Sequence, residues 1–486
     1  MQSHYSPAGA RPVPLPRHDA NYIGGRWVPP RDGRAATVVN PATEQVLAQI
    51  ELASPADADT AVRAACAAFP DWSATSAADR AAVLADLAAA IQDRSGDLAA
   101  LMAAEIGSPL AFARSVQVGL PAQVLEGMSA AVRDFRWEQP VGTCVVVREA
   151  AGVAGTITPW NYPLHQLVAK VAAAIGAGCT VVAKPSEVAP LSAFALAEIV
   201  HELGLPAGVF NLVPGDGPGV GEAIAAHHGV DVISFTGSLR AGRRVMSLAA
   251  ETAKKVTLEL GGKSACVVLD DVDVPATVAW AIQQATRNAG QNCSALSRLL
   301  VPRGQLDAAA DAAGQAARAV RVGDPFDPSV GMGPLVSRAH RERVRGFVAR
   351  AVTAGGRVIA GGTEPPAGLD RGFYFQPTVI GDVRPDMEIA QEEVFGPVVC
   401  LIPYSGDDDA VAIANDSRYG LAGAVWAQDR DRAIAVARRM RTGRVAVNGA
   451  ALNPVAPFGG YRQSGIGREF GAFGLEEFLE VKTLQC

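Results

Sequence analysis

Cys293 lies in Gly290-Gln291-Asn292-Cys293-Ser294, just after an apolar helical stretch from about Thr277 to Ala289. A cysteine in a polar, glycine-bearing turn can be exposed and ionisable, the two properties that thiolate chemistry needs. Most free cysteines are buried and inert, and on this segment alone that alternative stands beside the reactive one. Upstream, Glu259 sits in Leu258-Glu259-Leu260-Gly261-Gly262-Lys263-Ser264. Apolar neighbours raise a carboxyl pKa and make it a usable base near neutrality. On a strand it would equally well face solvent. Taken together, the thiol and the acid suggest covalent thiol chemistry followed by hydrolysis.

Three further segments carry polar groups suited to ligands. Pro159-Trp160-Asn161-Tyr162-Pro163 follows an apolar strand, and its two prolines fix a loop that points Asn161 inward. An asparagine amide is a neutral donor suited to an oxyanion, or else an ordinary turn residue. Phe235-Thr236-Gly237-Ser238 ends a strand, with Gly242 at the start of a helix. Such a turn offers free N–H groups to a phosphate, although its glycine spacing is not the common dinucleotide fingerprint. Lys184-Pro185-Ser186-Glu187 places a cation and an acid after another strand, where they can hold ribose hydroxyls or form a solvated ion pair. The segments Glu392–Pro397 and Asn448 to Gly460 have marked composition to which the residues alone assign no chemistry.

The elements that must position these residues follow from periodicity. Short strands are expected from Asn21 to Ile50. Helices are expected from Asp57 to Ala113, interrupted near Pro70 and Gly107, and again from Leu120 to Arg136. From Val153 to Phe235 strands alternate with helices: strands at Val153–Thr158, Thr180–Ala183, Val209–Val213 and Val230–Phe235, helices at Leu164–Gly176, Ser192–Leu203 and Gly219–Ala226. That alternation implies an α/β fold with a parallel, doubly wound sheet, which binds ligands at the carboxyl ends of its strands. A second alternating region runs from about Ala265 to Val447, with helices near Gln305–Val320 and Arg338–Ala354. The strands Gly142–Glu149 and Phe478–Leu484 belong to neither core. They are able to pair with each other, within one chain or across a subunit boundary.

The bulk properties narrow the classes. A chain of 486 residues, 49% hydrophobic, carries two or three domains with large cores. Its net charge of −6, without a long basic run, speaks against nucleic acid. No stretch of membrane-spanning length is apolar throughout. Residues 1–19 read as a flexible arm rather than a targeting segment. Seven cysteines, odd in number and widely spaced, suggest a reducing compartment and no zinc site. There are six lysines against 37 arginines, and all but Lys482 lie between Lys170 and Lys263, so a lysine there marks a need for a compact ammonium.

In this order, from about Tyr22 to Thr483, these segments resemble the aldehyde dehydrogenase superfamily, and Glu259 lies 34 positions before Cys293 as base and nucleophile do in that family. The resemblance implies a Rossmann-like cofactor domain (residues 20–137 and 151–261), an α/β catalytic domain (262–460) and a small β oligomerisation arm (138–150 and 470–486). It implies Cys293 as nucleophile, Asn161 with the Cys293 backbone N–H as oxyanion hole, and Glu259 as base, supported by Lys170 and Glu469. It places Thr158, Trp160, Lys184, Ser186, Glu187, Gly237, Ser238, Gly242, Leu260, Glu393 and Phe395 against the cofactor. Glu187 would accept ribose hydroxyls and repel a 2′-phosphate, favouring NAD over NADP. It implies a non-acylating enzyme in the cytoplasm, a homodimer or homotetramer that oxidises an aldehyde to an acid. Tyr162, Gln166, Ala169, Asn292, Ser294 and Phe458 would line the substrate pocket, with Asn453–Ala456 on its opposite wall. Leu239-Arg240 stands where a threonine and an acid are frequent, which would alter the pyrophosphate loop. Ala169 stands where some members carry tryptophan, so a wider tunnel and a bulky apolar or aromatic aldehyde are expected. No arginine pair aimed at a second carboxylate is evident, which speaks against short charged semialdehydes.

Overall fold

A computed structural model describes residues 13–31 and 33–485. Continuous apolar runs form its central strands. Val153–Ile157, Thr180–Lys184 and Val232–Thr236 are buried at every position, as strands covered on both faces must be. With Lys255–Glu259 and Phe210–Leu212 they make the parallel centre of an eight-stranded sheet. Antiparallel strands finish its two edges: Asn21–Ile23 with Arg26–Val28 on one side, Gly465–Ile466 on the other. Residues beyond the expected limit at 460 thus complete the first sheet, beside Glu259.

The second alternating region forms a seven-stranded sheet, in spatial order Arg357–Ala360, Thr378–Gly381, Val398–Tyr404, Arg298–Pro302, Ala265–Val268, Ala422–Trp426 and Arg444–Val447. It is parallel except for the first pair. The expected α/β architecture is therefore observed in both halves.

The helix Pro163–Ala177 is the scaffold that matters most. Proline at its first turn and Gly178 at φ +94° beyond its end fix its limits. All 15 of its residues are buried, so it can carry polar side chains only where they meet partners or cavities.

Two expectations need correction, and one open alternative is decided. The helix Pro55–Ser73 runs through Pro70. Pro70 lies in the last turn on an exposed face, where the carbonyl it leaves unbonded reaches water. The break comes at Ala74–Ser76, and Ser76 caps the next helix, Ala77–Asp93. The N-terminal arm is not free throughout: Val13 is buried in the core, and the Arg17 backbone N–H donates to Glu198 Oε1 at 2.6 Å while its guanidinium covers Trp27. Residues 1–12 lie outside the described residues. Finally, Cys144–Ala150 does pair antiparallel with Leu479–Gln485, from Leu479↔Ala150 to Gln485↔Cys144, within the one chain. Glu138–Val141 adds a third strand.

Candidate active site

The helix Val274–Thr286 ends in a tight reversal. Asn288, Ala289 and Gly290 have φ of +52°, +54° and +70° in succession. This run turns the chain and delivers Cys293 to the gap between the two sheets. Gly290 is required on two counts. Its φ is left-handed, and a Cβ there would lie 2.1 Å from the Gly396 carbonyl oxygen and 2.6 Å from Pro397 N. The unassigned segment Glu392–Pro397 is thus the wall on which the nucleophile loop rests.

Asn161 is buried beside that loop. Its Nδ2 donates to the Gln291 carbonyl at 3.1 Å. Its backbone carbonyl accepts from Gln117 Nε2 at 3.1 Å and Asn288 Nδ2 at 2.9 Å. The residue is thus fixed through its main chain and through one amide proton, and the amide nitrogen carries a second proton for a ligand.

Glu259 ends the strand Lys255–Glu259, and neither of its carboxylate oxygens has a hydrogen-bond partner although both are buried. Burial first, and the neighbouring Glu469 carboxylate second, push its pKa well above the ordinary value. Lys170 opposes this and is itself anchored on Glu469, Nζ to Oε1 at 2.5 Å. Gly459 at φ +155° passes so close that a Cβ would come within 2.7 Å of Glu259 Oε1. Phe458 and Glu469 exchange backbone hydrogen bonds at 2.9 and 2.7 Å, which brings the second unassigned segment to Glu259. The Cys293 thiol is pushed up to about 12, by burial and then by Glu259, Glu393 and Glu469, with Arg444 opposing.

Cys293 borders two cavities. The first is a cleft of about 770 Å3 at the carboxyl ends of the first sheet's strands, lined by Trp160, Asn161, Gly237, Ser238, Glu259, Leu260, Glu393 and Phe395 among others. Ser238 caps the 12-residue helix Leu239–Ala250, its Oγ accepting the Ala241 N–H at 3.3 Å. Arg240 and Arg243 from that helix also line the cleft, so its floor is positive where a pyrophosphate would lie. Trp160, His340 and Phe395 meet edge to face, with His340 Nε2 2.7 Å from the Phe395 carbonyl oxygen. Burial drives the His340 pKa down to about 4, so the ring is neutral and donates that bond. Glu393 Oε1 accepts the Gly262 N–H at 3.0 Å, and a Cβ on Gly261 would fall 2.1 Å from Glu393 Oε2. Burial lifts Glu393 to about 7.

The second cavity, about 460 Å3, also borders Cys293. Tyr162, Gln166, Asn292, Ser294 and Phe458 line it as expected, with Phe112, Trp280 and Phe470. Ala169 does not. It is buried against Val124 and Phe470, so the Phe470 ring takes up the room expected there. Two arginines, Arg287 and Arg444, do line it, contrary to the expectation that none is aimed there.

A comparison with known families gives a match over residues 27–484 to the model described as "Aldehyde dehydrogenase family". This chain belongs to the aldehyde dehydrogenase family. It is 48% identical over 469 residues to a Pseudomonas protein named 3-succinoylsemialdehyde-pyridine dehydrogenase, covering 95% of this chain and 97% of that one. Its fold is similar to a crystal structure of aldehyde dehydrogenase C from Pseudomonas syringae, a cysteine-to-alanine variant complexed with NAD+ and octanal. The TM-score is 0.95 at 45% identity, with 100% and 99% of the two chains covered. A Mycobacterium tuberculosis aldehyde dehydrogenase complexed with NAD+ gives 0.94 at 41% identity, over 97% and 99%.

Most residues expected of an aldehyde dehydrogenase site do converge. Thr158, Lys184, Ser186, Glu187 and Gly242 are not among the residues that line the cleft. Lys184 Nζ donates to the Pro185 and Gly215 carbonyls at 2.6 and 2.7 Å and lies 3.7 Å from Glu187 Oε2. Gly242 is closed over by Leu260, whose Cδ2 would lie 2.6 Å from a Cβ. Sequence reasoning missed Gln117, Asn288 and Gln291, which hold Asn161, and His340, Arg343, Arg418 and Arg444, which reach the cavities from distant elements. Asn288 had a legible signal, since asparagine before Ala-Gly is a residue that tolerates positive φ.

Proposed function

We propose that this member of the family is an NAD-dependent, non-acylating aldehyde dehydrogenase that works through a Cys293 thioester. The observation that carries the reading is that two separate cavities meet at one thiol. One has the phosphate-binding features of a dinucleotide cleft, and the other has aromatic walls.

Cys293 Sγ attacks the aldehyde carbon, and Glu259, with two unpartnered oxygens, takes the thiol proton. The carbonyl oxygen becomes an oxyanion, which the second proton of the Asn161 amide and the Cys293 N–H stabilise. NAD, when bound, supplies the acceptor for the hydride that leaves the thiohemiacetal carbon. Trp160, Ser238, Glu393 and Phe395 border its cleft, and Lys184 with Glu187 would hold the adenosine ribose. The thioester left on Cys293 is then hydrolysed: Glu259 removes a proton from water, hydroxide adds to the acyl carbon, and the carbon–sulfur bond breaks. Before water is activated the thiol proton leaves Glu259 through Glu469, which Lys170 holds in place, and the proton then taken from water returns to the departing sulfur. The acid departs and the thiol is restored, so one hard oxidation becomes two easier steps.

Cys293→Ala removes NADH formation with every aldehyde under this reading. Glu259→Gln slows both the first NADH formed per site and the steady turnover, because the same carboxylate takes the thiol proton and then the proton of water. Undiminished steady turnover in Cys293→Ala would overturn it, and a need for coenzyme A in acid release would replace hydrolysis with acyl transfer. A preference for NAD over NADP rests on Glu187, and Glu187→Ala should narrow it.

The three-part domain organisation is part of the same proposal, with the sheet of Glu138–Val141, Cys144–Ala150 and Leu479–Gln485 as the arm. Leu479–Gln485 lies at the edge of that sheet, and Val141, Val481 and Leu484 are exposed on it, which supports a homodimer or homotetramer. A cytoplasmic location agrees with the six free cysteines among the described residues. No helix among them is long and apolar enough to cross a membrane.

A further inference from the structure

The second cavity is walled mainly by rings and small residues, yet it contains a guanidinium with nothing to bind. Arg444 begins the edge strand Arg444–Val447 and is largely enclosed. Its Nε is buried without a hydrogen-bond partner, and among the described residues no carboxylate forms an ion pair with it. The fully buried Arg298 of the same sheet is by contrast satisfied, donating to the carbonyls of Lys263, Ile413 and Ala414. The one acid lining the cavity, Glu469, is already bound to Lys170. Arg444 also stands close enough to Cys293 for its charge to act on the thiol. An enclosed, unpartnered guanidinium is costly, and the cost is recovered when a ligand brings an acceptor.

We propose that Arg444 selects the substrate: the favoured aldehydes carry an acceptor oxygen, keto or carboxylate, on the carbon chain a few bonds from the aldehyde carbon, with any bulky end lying against Phe112, Trp280 and Phe458. The guanidinium donates to that oxygen while the aldehyde sits at Cys293. Arg287, exposed on the same cavity, lies towards its mouth and draws such molecules in. The inference rests on the aldehyde dehydrogenase reading above and adds a substrate class to it.

The test measures kcat/KM for NADH formation with hexanal (no acceptor), 4-oxo-4-phenylbutanal (keto) and succinic semialdehyde (carboxylate). The comparison is made in the wild type, Arg444→Met and Arg444→Lys. In the wild type at least one acceptor aldehyde exceeds hexanal. In Arg444→Met the ratio of that aldehyde to hexanal falls about ten- to a hundredfold, mainly through KM, as expected for loss of a charged donor to a buried oxygen. Retention of most of the ratio in Arg444→Lys points to a carboxylate, and its loss to a keto oxygen held by the planar fork. Using a ratio within each variant removes any general effect on folding or on Cys293. An unchanged ratio in Arg444→Met, or a wild type that prefers hexanal, overturns the inference alone. Absence of NADH with all three aldehydes would count against the parent reading instead.

Discussion

Gly290→Ala tests whether the nucleophile is placed by backbone contact. The added methyl has two consequences that can be separated. An alanine at φ +70° costs about 1–2 kcal/mol of stability. The methyl would also lie 2.1 Å from the Gly396 carbonyl oxygen, whereas an unstrained carbon contact is about 3.5 Å. Something must therefore retreat by about 1 Å or more. Gly396 cannot, because Val344 of the helix Arg338–Thr353 stands behind it, 2.7 Å from where its own Cβ would be. The nucleophile loop moves instead and carries Cys293 with it. A displacement of about 1 Å at a reacting atom costs on the order of a hundredfold in rate. The assay is kcat/KM for NADH formation with a fixed aldehyde, alongside thermal unfolding. Gly355→Ala supplies the control, since its φ of +100° is equally strained but no atom lies within 4 Å of the new methyl. It should lose stability and keep its activity. A Gly290→Ala protein within about threefold of wild-type kcat/KM would refute the argument that this contact sets the position of Cys293.

Three other outcomes follow from buried acids. Glu259 is a base only when deprotonated, so hydrolysis rises with pH through its raised pKa; Glu469→Gln removes a charge that raises it, and the acidic limb of the kcat profile should move to lower pH. Glu105 is buried, its Oε1 accepting the Leu191 N–H at 2.6 Å, and burial lifts its pKa from 4.5 to about 8. The folded state then holds a proton that the unfolded chain releases, so this contribution is complete below pH 4.5 and is lost as pH rises towards 8. Urea midpoints should fall across that window in the wild type and fall less in Glu105→Gln. Alkylation of Cys293 by iodoacetamide should be slower in Glu259→Gln if the carboxylate accepts the thiol proton; faster alkylation would reduce Glu259 to a charge that merely raises the thiol.

The centre of the first sheet was legible because its strands are apolar runs bounded by glycine, proline or a polar turn; of the second sheet the residues marked the region and few of its seven strands. The alternation from Val153 to Thr236 could be read almost residue by residue. Pro70 misled because a local rule was applied without knowing that the helix ended three residues later on an exposed face. Cys293, Glu259 and Asn161 were legible since each lies in a turn or strand end of unusual local composition. Arg444 was not: it is one arginine among 37, and only the folding of the second sheet places it in a cavity with Cys293. Ala169 failed for the same reason in reverse, as a distant ring, Phe470, fills the space its small side chain leaves.

The electrostatics of the site bear on how the thiol is kept and used. Three carboxyl groups, Glu259, Glu393 and Glu469, raise the Cys293 pKa on top of burial, and Arg444 opposes them. A thiol held near 12 is a poor nucleophile and a poor target for oxidants. Glu259 is raised by the same burial. Passing one proton from Cys293 to Glu259 leaves the net charge of the enclosed site unchanged, so it avoids the cost of adding a charge there. The thiol therefore ionises more readily in exchange with the Glu259 carboxylate than alone. The pair can rest neutral at the thiol and still react when an electrophilic carbonyl arrives from the second cavity, because the oxyanion that forms is met by donors already in place around Asn161. On this view the burial that makes Cys293 look inert is what ties its reactivity to the presence of substrate.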